Sequence, residues 1–178
     1  GKVQNVELLE SDVDGSNAAK VGTIAGINRG TVADVKITNS QVRSDNSDVG
    51  GLIGFNNGGT LVSKNVSRIS VTVAGASNTG GVIGNNDAGS VAENYVAEDS
   101  SVSGTADNIG GMIGINRGQL KTKSMQSAAR TTGNGVNNVG WVVGNNEGIS
   151  ENYVLANSEV VGTGNQVGGV AGVNSGPV

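Results

Sequence analysis

The stretch Val49-Gly50-Gly51-Leu52-Ile53-Gly54-Phe55-Asn56 decides how this chain is read, because it recurs. Its glycine frame returns without gaps as Val21-Gly22-Thr23-Ile24-Ala25-Gly26, Gly80-Gly81-Val82-Ile83-Gly84, Gly110-Gly111-Met112-Ile113-Gly114, Gly140-Trp141-Val142-Val143-Gly144 and Gly168-Gly169-Val170-Ala171-Gly172. The first glycines of the copies, from Gly22 to Gly168, lie 28, 30, 30, 30 and 28 residues apart. Self-similarity at a fixed period of this size marks an architecture of stacked units.

Working outward, an asparagine stands two residues after every closing glycine: Asn28, Asn56, Asn86, Asn116, Asn146 and Asn174. A further glycine follows as Gly30, Gly58, Gly89, Gly118, Gly148 or Gly176. A second segment then recurs, aligned as Val6 to Val13, Val35 to Val42, Val66 to Val73, Tyr95 to Val102, Met125 to Thr132 and Tyr153 to Val160.

The content of each copy selects the unit. Glycine costs roughly 1 kcal/mol in a helix interior, and the apolar runs are short, β-branched and bounded by Gly, Asn, Ser and Asp, so helix-pair repeats are excluded. A propeller blade needs about forty residues and four strands, more than one copy holds. What remains is an all-β parallel β-helix of about six coils, roughly 28–30 residues each, running over 1–178 as one repeat domain. Gly1 to Val13 aligns with Gly30 to Val42, so the chain opens in mid-repeat, and neither end reads as a cap. A piece of a longer array is expected, its neighbours being further repeats of the same polypeptide.

Composition agrees. The chain has 31 glycines, one proline and only four aromatic residues, Phe55, Tyr95, Trp141 and Tyr153, so the core falls to Val, Ile, Leu and Ala. Cysteine and histidine are absent, which removes thiolate and imidazole chemistry and the commoner zinc sites. No cofactor, metal or catalytic residue is expected. Net charge is −4 and the 11 basic residues are scattered singly, which argues against nucleic acid as a partner. No run of about eighteen apolar residues is present to enter a membrane directly. The lack of cysteine is in keeping with export.

Stacking makes columns, and the columns carry expectations. The asparagines should form an amide ladder, with a row of exposed amides for a sugar or metal as the alternative. Lys64, Glu93, Lys123 and Glu151 should alternate in sign along one column, and Asp87, Arg117 and Glu147 along another, each pair worth about 0.2–1 kcal/mol. Two stacked carboxylates would mark a polysaccharide-cleaving solenoid. None is found, because Asp34 falls between Asn5 and Asn65, and Asp99 between Ser70 and Ala129. A column of outward threonines would suit ice binding, but the nearest reads Asp12, Gln41, Thr72, Ser101, Thr131 and Glu159. The turn from Asp45 to Asp48 is a weak ion site. Trp141, which replaces a column glycine, is either a ligand platform or a filler beside a turn.

Gly51-Leu52-Ile53-Gly54 followed by Asn56-Asn57-Gly58-Gly59-Thr60 resembles the GLUG repeat of bacterial surface proteins, and Ser90-Val91-Ala92-Glu93-Asn94-Tyr95-Val96 resembles the stretch after its glycines. The resemblance spans the chain, although only the second copy has the literal Gly-Leu-x-Gly and Thr23 and Trp141 break the glycine pair. It implies a repeat region of a secreted or surface-anchored adhesin similar to filamentous haemagglutinin, or the non-catalytic region of an IgA-cleaving metallopeptidase. It brings no catalytic residues, and His-Glu-x-x-His is absent. The expected function is a structural and interaction module displayed outside the cell, with a host-surface protein or glycan as partner. A glycan- or host-protein-binding accessory to an extracellular enzyme is the alternative, and ice-binding or polysaccharide-degrading roles rank below.

Overall fold

The computed structural model describes residues 1–62, 65–74, 77–93, 97–121, 130–134, 137–151, 157 and 159–176, with the backbone alone at 65–67, 97 and 98. Among these residues every regular element is a strand, and every strand pairing is parallel. The chain is a β-solenoid of about 5 turns. Each turn crosses three sheets. Ala25–Asn28, Ile53–Asn56, Ile83–Asn86, Ile113–Asn116, Val143–Asn146 and Ala171–Asn174 stack as one sheet, and Val49–Gly50, Thr79–Gly80, Ile109–Gly110, Val139–Gly140 and Val167–Gly168 as a second. The remaining twelve strands, among them Thr31–Ser44 and Asn65–Val73, make the third.

The longest strand shows how one sequence lines a coil. In Thr31–Ser44 the buried positions are Val32, Val35, Ile37, Ser40, Val42 and Ser44. A flat strand would bury every second residue. Here the spacing stretches to three twice, across Asp34 and Asn39, and both take left-handed backbone, with φ of 51° and 53°. Each such residue bends the strand and returns the next side chain to the interior. Asn5 stacks beneath Asp34, and Glu10, Asn39, Arg68, Asp99 and Asn157 hold the same conformation at the second corner. Asparagine and aspartate tolerate this region best.

The core is a set of aliphatic columns. Ile53, Ile83, Ile113 and Val143 stack in register, as do Val42, Val71 and Val102, all essentially inaccessible. This pairing corrects the alignment of the second segment. The residue on Val42 is Val71, not Val73, and the residue between Val102 and Val160 is Thr131, not Thr132. The cause is variable turn length. The next strand begins at Thr60, Val91, Gln119 and Ile149, four, five, three and three residues after its ladder asparagine, so the spacing differs between coils, and matching Asn65 to Asp34 places the segment two residues out of register. The charge column moves with it. Glu93 pairs in register with Val62 and Lys121, and Lys121 with Glu151. Lys64 and Lys123 lie outside the described residues, as do Asn94 to Val96, 122–129 and 152–156, where three of the aligned segments begin.

In three copies the second glycine of the pair sits against the next coil, although Thr23 and Trp141 occupy the same column in two others. A Cβ on Gly51, Gly81 or Gly111 would collide with the carbonyl oxygen of Gly81, Gly111 or Trp141 in the next coil, and would press on Ile69, Val102 or Thr131 across the interior. The equivalent Gly169 has nothing within 4 Å of that point. Gly111→Ala is therefore expected to cost at least about 2 kcal/mol, and Gly169→Ala to stay within about 0.5 kcal/mol of the parent. Urea unfolding of the two variants checks this, and equal midpoints would show that column clearance does not matter.

Candidate functional site

The predicted asparagine ladder is present. Asn28 Nδ2 donates to Asn56 Oδ1 at 2.9 Å, Asn56 to Asn86 at 2.9 Å, and Asn86, Asn116 and Asn146 each to the next at 2.8 Å, ending on Asn174. Spare amide hydrogens go to backbone carbonyls, from Asn56 to Gly59 and from Asn116 to Ile149, both at 3.1 Å. Asn56, Asn86 and Asn116 are 0% exposed. From Asn28 to Asn146 the row lies inside the wall of the solenoid and its amides are spent there, leaving only the terminal Asn174 exposed, so it presents no row of exposed amides to a sugar or metal. These asparagines close a strand in ordinary backbone conformation, and the left-handed turn residues lie elsewhere.

A second ladder escaped the sequence reading. Asp48, Asn78, Asn108 and Asn138 immediately precede Val49–Gly50 and its equivalents, all with φ near 60°. Asn138 Nδ2 donates to Asn108 Oδ1 at 2.7 Å, Asn108 to Asn78 at 2.8 Å, and Asn78 to Asp48 Oδ1 at 2.8 Å. This ladder donates toward the N-terminus, opposite to the first. It ends on a carboxylate, which can only accept. Asp48 is 7% exposed, takes a further amide from Asn85 at 3.3 Å, and is balanced by Lys20 Nζ, 3.6 Å from Oδ2 and 5.4 Å from the centroid of the Phe55 ring. Asp48 is thereby committed to the wall, so the turn from Asp45 does not leave it free for an ion. Among the described residues no group of three His, Cys, Asp or Glu could hold a metal. The signal was legible: Asp or Asn stands two residues before Gly50, Gly80, Gly110 and Gly140.

Trp141 is 1% exposed and belongs to the central core cluster. An indole inside the core cannot serve as a surface platform, so the ligand-platform reading of Trp141 is corrected to a packing role. The preceding glycine of its column faces Thr131, a small residue where neighbouring coils carry Val102 and Val160.

The outward face of the twelve-stranded sheet is what remains for contact. The observed register gives one outward column of Asp12, Gln41, Ser70, Ser101, Arg130 and Glu159, and another of Asp14, Arg43, Thr72, Ser103, Thr132 and Val161. Neither is a threonine row, and Thr131 has moved to the interior. The hydroxyls of Ser70, Thr72, Ser101, Ser103 and Thr132 form a central patch, with Ser101 Oγ 3.3 Å from Ser70 Oγ. Ion pairs bound it. Arg43 donates to both oxygens of Asp12 at 2.7 and 2.9 Å, and Arg130 Nε to Glu159 at 2.8 Å. Arg43 is held above the usual guanidinium range by its hydrogen bond to Asp12. Beside the patch, in a shallow depression lined by Asp14 to Ala18, the hydroxyl and amide of Ser16 donate to Asp14 and hold its carboxyl below the usual carboxylate range.

Other carboxylates stack on cations. Glu7 pairs with Lys36 at 2.5 Å and Glu147 with Arg117 at 2.8 Å, the latter within the predicted alternating column. Asp99 stacks over Arg68, with Nε 3.9 Å from Oδ2, and not over Ser70. Asn65 pairs in register with Lys36 and not with Asp34. The registers above bring no two carboxylates together in adjacent coils among the described residues.

The fold and its surface thus define a parallel β-solenoid with one buried and one half-buried amide ladder and a hydroxyl-bearing face. Comparison with known proteins finds no family model, no curated protein and no solved structure that matches the chain.

Asn86→Ala removes two ladder bonds and strands Asn56 Nδ2 and Asn116 Oδ1 away from water. The expected loss is about 2–4 kcal/mol, since each buried unpaired group costs about 1–3 kcal/mol, and denaturant titration measures it. Trp141 fluorescence should be blue-shifted and resist acrylamide quenching. Trp141→Gly should cost about 3–5 kcal/mol, and an easily quenched, red-shifted emission would contradict the burial of the ring.

Proposed function

We propose that this chain is a structural and interaction module, a stalk or adhesive repeat segment of a large secreted or surface-anchored bacterial adhesin. One observation carries the reading: the conspicuous repeat positions, asparagine, aspartate, glycine and tryptophan alike, are consumed in joining coil to coil or filling the core. A module of this kind lengthens by adding coils, and its partners meet the outward columns.

Magnitude shapes the test. Coils repeat about every 4.8 Å, so about 5 turns rise only about 24 Å. Elongation belongs to an array of such segments. Inserting three further copies of residues 80–109 should extend the maximum dimension in X-ray scattering by about 14 Å at constant cross-section. Growth in all directions, or loss of β-rich circular dichroism, would count against a stackable stalk unit.

The hydroxyl patch favours a second reading, a glycan- or host-protein-binding face centred on Ser70, Thr72, Ser101 and Ser103. Short hydroxyls on this face match the hydrogen-bonding pattern of sugars, and the Asp12–Arg43 and Arg130–Glu159 pairs bound it. Screening on a glycan array and on extracellular-matrix proteins tests it, with Thr72→Glu expected to abolish any binding found. Binding indifferent to Thr72→Glu and Ser103→Glu would remove the patch from consideration. Depolymerisation of a polysaccharide by the purified chain would overturn both readings.

A further inference from the structure

Beside the first ladder lies a turn whose chemistry none of the preceding roles uses. The sequence contains two Asn-Gly pairs, Asn57-Gly58 and Asn134-Gly135, and Gly135 lies outside the described residues. Asn57 directly follows ladder residue Asn56. Its backbone N–H donates to Asn28 O at 2.8 Å, while its side-chain amide has no hydrogen-bond partner among the described residues. Gly58 is exposed, with φ of 70° and nothing within 4 Å of the point where a Cβ would sit.

Those features suit attack of a backbone nitrogen on the preceding side chain. The electrophile is an unpartnered carboxamide, and no side chain on Gly58 hinders approach. The third requirement is that the Gly58 N–H lose its proton and turn toward Asn57 Cγ. Here the fold intervenes. Gly58 N–H donates to Ser90 Oγ at 2.8 Å, and Ser90 Oγ in turn donates to Asn56 O at 2.8 Å. Ser90 is 0% exposed. With its one proton committed to Asn56, the hydroxyl can only accept from Gly58. It therefore opposes deprotonation of that amide and holds the peptide plane away from ring closure.

We propose that Asn57-Gly58 is a site of spontaneous, succinimide-forming deamidation that Ser90 holds closed in the native solenoid. In the step, Gly58 N gives its proton to solvent base and bonds to Asn57 Cγ. Nδ2 takes a proton from solvent, the Cγ–Nδ2 bond breaks and ammonia leaves. Water then opens the ring at either carbonyl, giving aspartate or isoaspartate at position 57.

The product matters because of where it sits. Residues directly after the ladder asparagines are Arg29, Asn57, Asp87, Arg117, Glu147 and Ser175, and from Asn57 onward each donates its backbone N–H to the ladder asparagine carbonyl of the coil before. Asn57 is the neutral member between Arg29 and Asp87. Deamidation places a carboxylate in the coil beside Asp87, the like-charge stacking that the described columns otherwise avoid. Isoaspartate also lengthens the backbone inside the turn whose Gly59 carbonyl receives Asn56 Nδ2, 3.1 Å away. The modification thus strains the buried ladder from outside.

The experiment incubates the full chain in mildly alkaline buffer and follows Asn57 by peptide mapping that separates aspartate from isoaspartate. Native protein should convert at Asn57 more slowly than the same chain unfolded in urea. Folded Ser90→Ala should convert about three- to tenfold faster than the parent, the rate equivalent of one lost hydrogen bond. Gly58→Ala should suppress conversion in both backgrounds. If Ser90→Ala does not fold, the native-versus-urea comparison of the parent decides alone. Equal rates in those two states, or a folded Ser90→Ala that matches the parent, would falsify the guard.

Discussion

Each coil of this solenoid is locked to the next by a buried amide that must both give and receive a hydrogen bond in the direction of stacking. Asparagine meets that demand at a repeat near 4.8 Å because its donor and acceptor sit on opposite sides of a short planar group. A serine would be too short to span the rise, and an aspartate would end the chain of donors. Aspartate occurs at a ladder end, as Asp48, where only an acceptor is wanted and Lys20 balances its charge. The two ladders run with opposite polarity, so their amide dipoles oppose each other across the wall. Low dielectric strengthens every link and raises the cost of leaving one unmade.

That demand explains which parts of the molecule were legible in sequence. The coil, the parallel stacking and the ladder from Asn28 to Asn174 follow from a residue type recurring at one distance from one glycine. Strands joined to that frame through turns of unequal length were harder. Val71 was passed over for Val73, and Thr131 for Thr132, because both candidates are apolar or both are threonine, and the left-handed corner residues break simple alternation. Arg68 and Glu10 gave no warning of their corner role, since neither is a residue that favours left-handed backbone. The Asp48 to Asn138 ladder is legible as an Asp or Asn two residues before Gly50, Gly80, Gly110 and Gly140, a weaker mark than the glycines that follow it.

Burial of Trp141 and of the asparagine ladder bears on how a functional site should be sought here. In a globular enzyme a departure from pattern often marks chemistry. In a solenoid it first marks a local change of volume, since every coil must fill the same cross-section from a different set of side chains. Trp141 stands one coil beyond Gly111, which faces Thr131 where neighbouring coils carry Val102 and Val160, so the ring enters the core where the set of interior side chains changes. Conspicuous residues in such a wall are poor guides to ligands.

Outward columns obey a weaker rule. Their side chains need only avoid like charges above and below, which the Glu7–Lys36, Arg117–Glu147 and Arg130–Glu159 pairs satisfy and which leaves identity otherwise free. Each such pair is exposed and contributes little to stability, so their worth lies in the pattern they impose on the surface. Columns that the fold does not need are therefore free to vary, and the hydroxyl patch between two ion pairs is a stretch of the described surface not built on charge neutralisation.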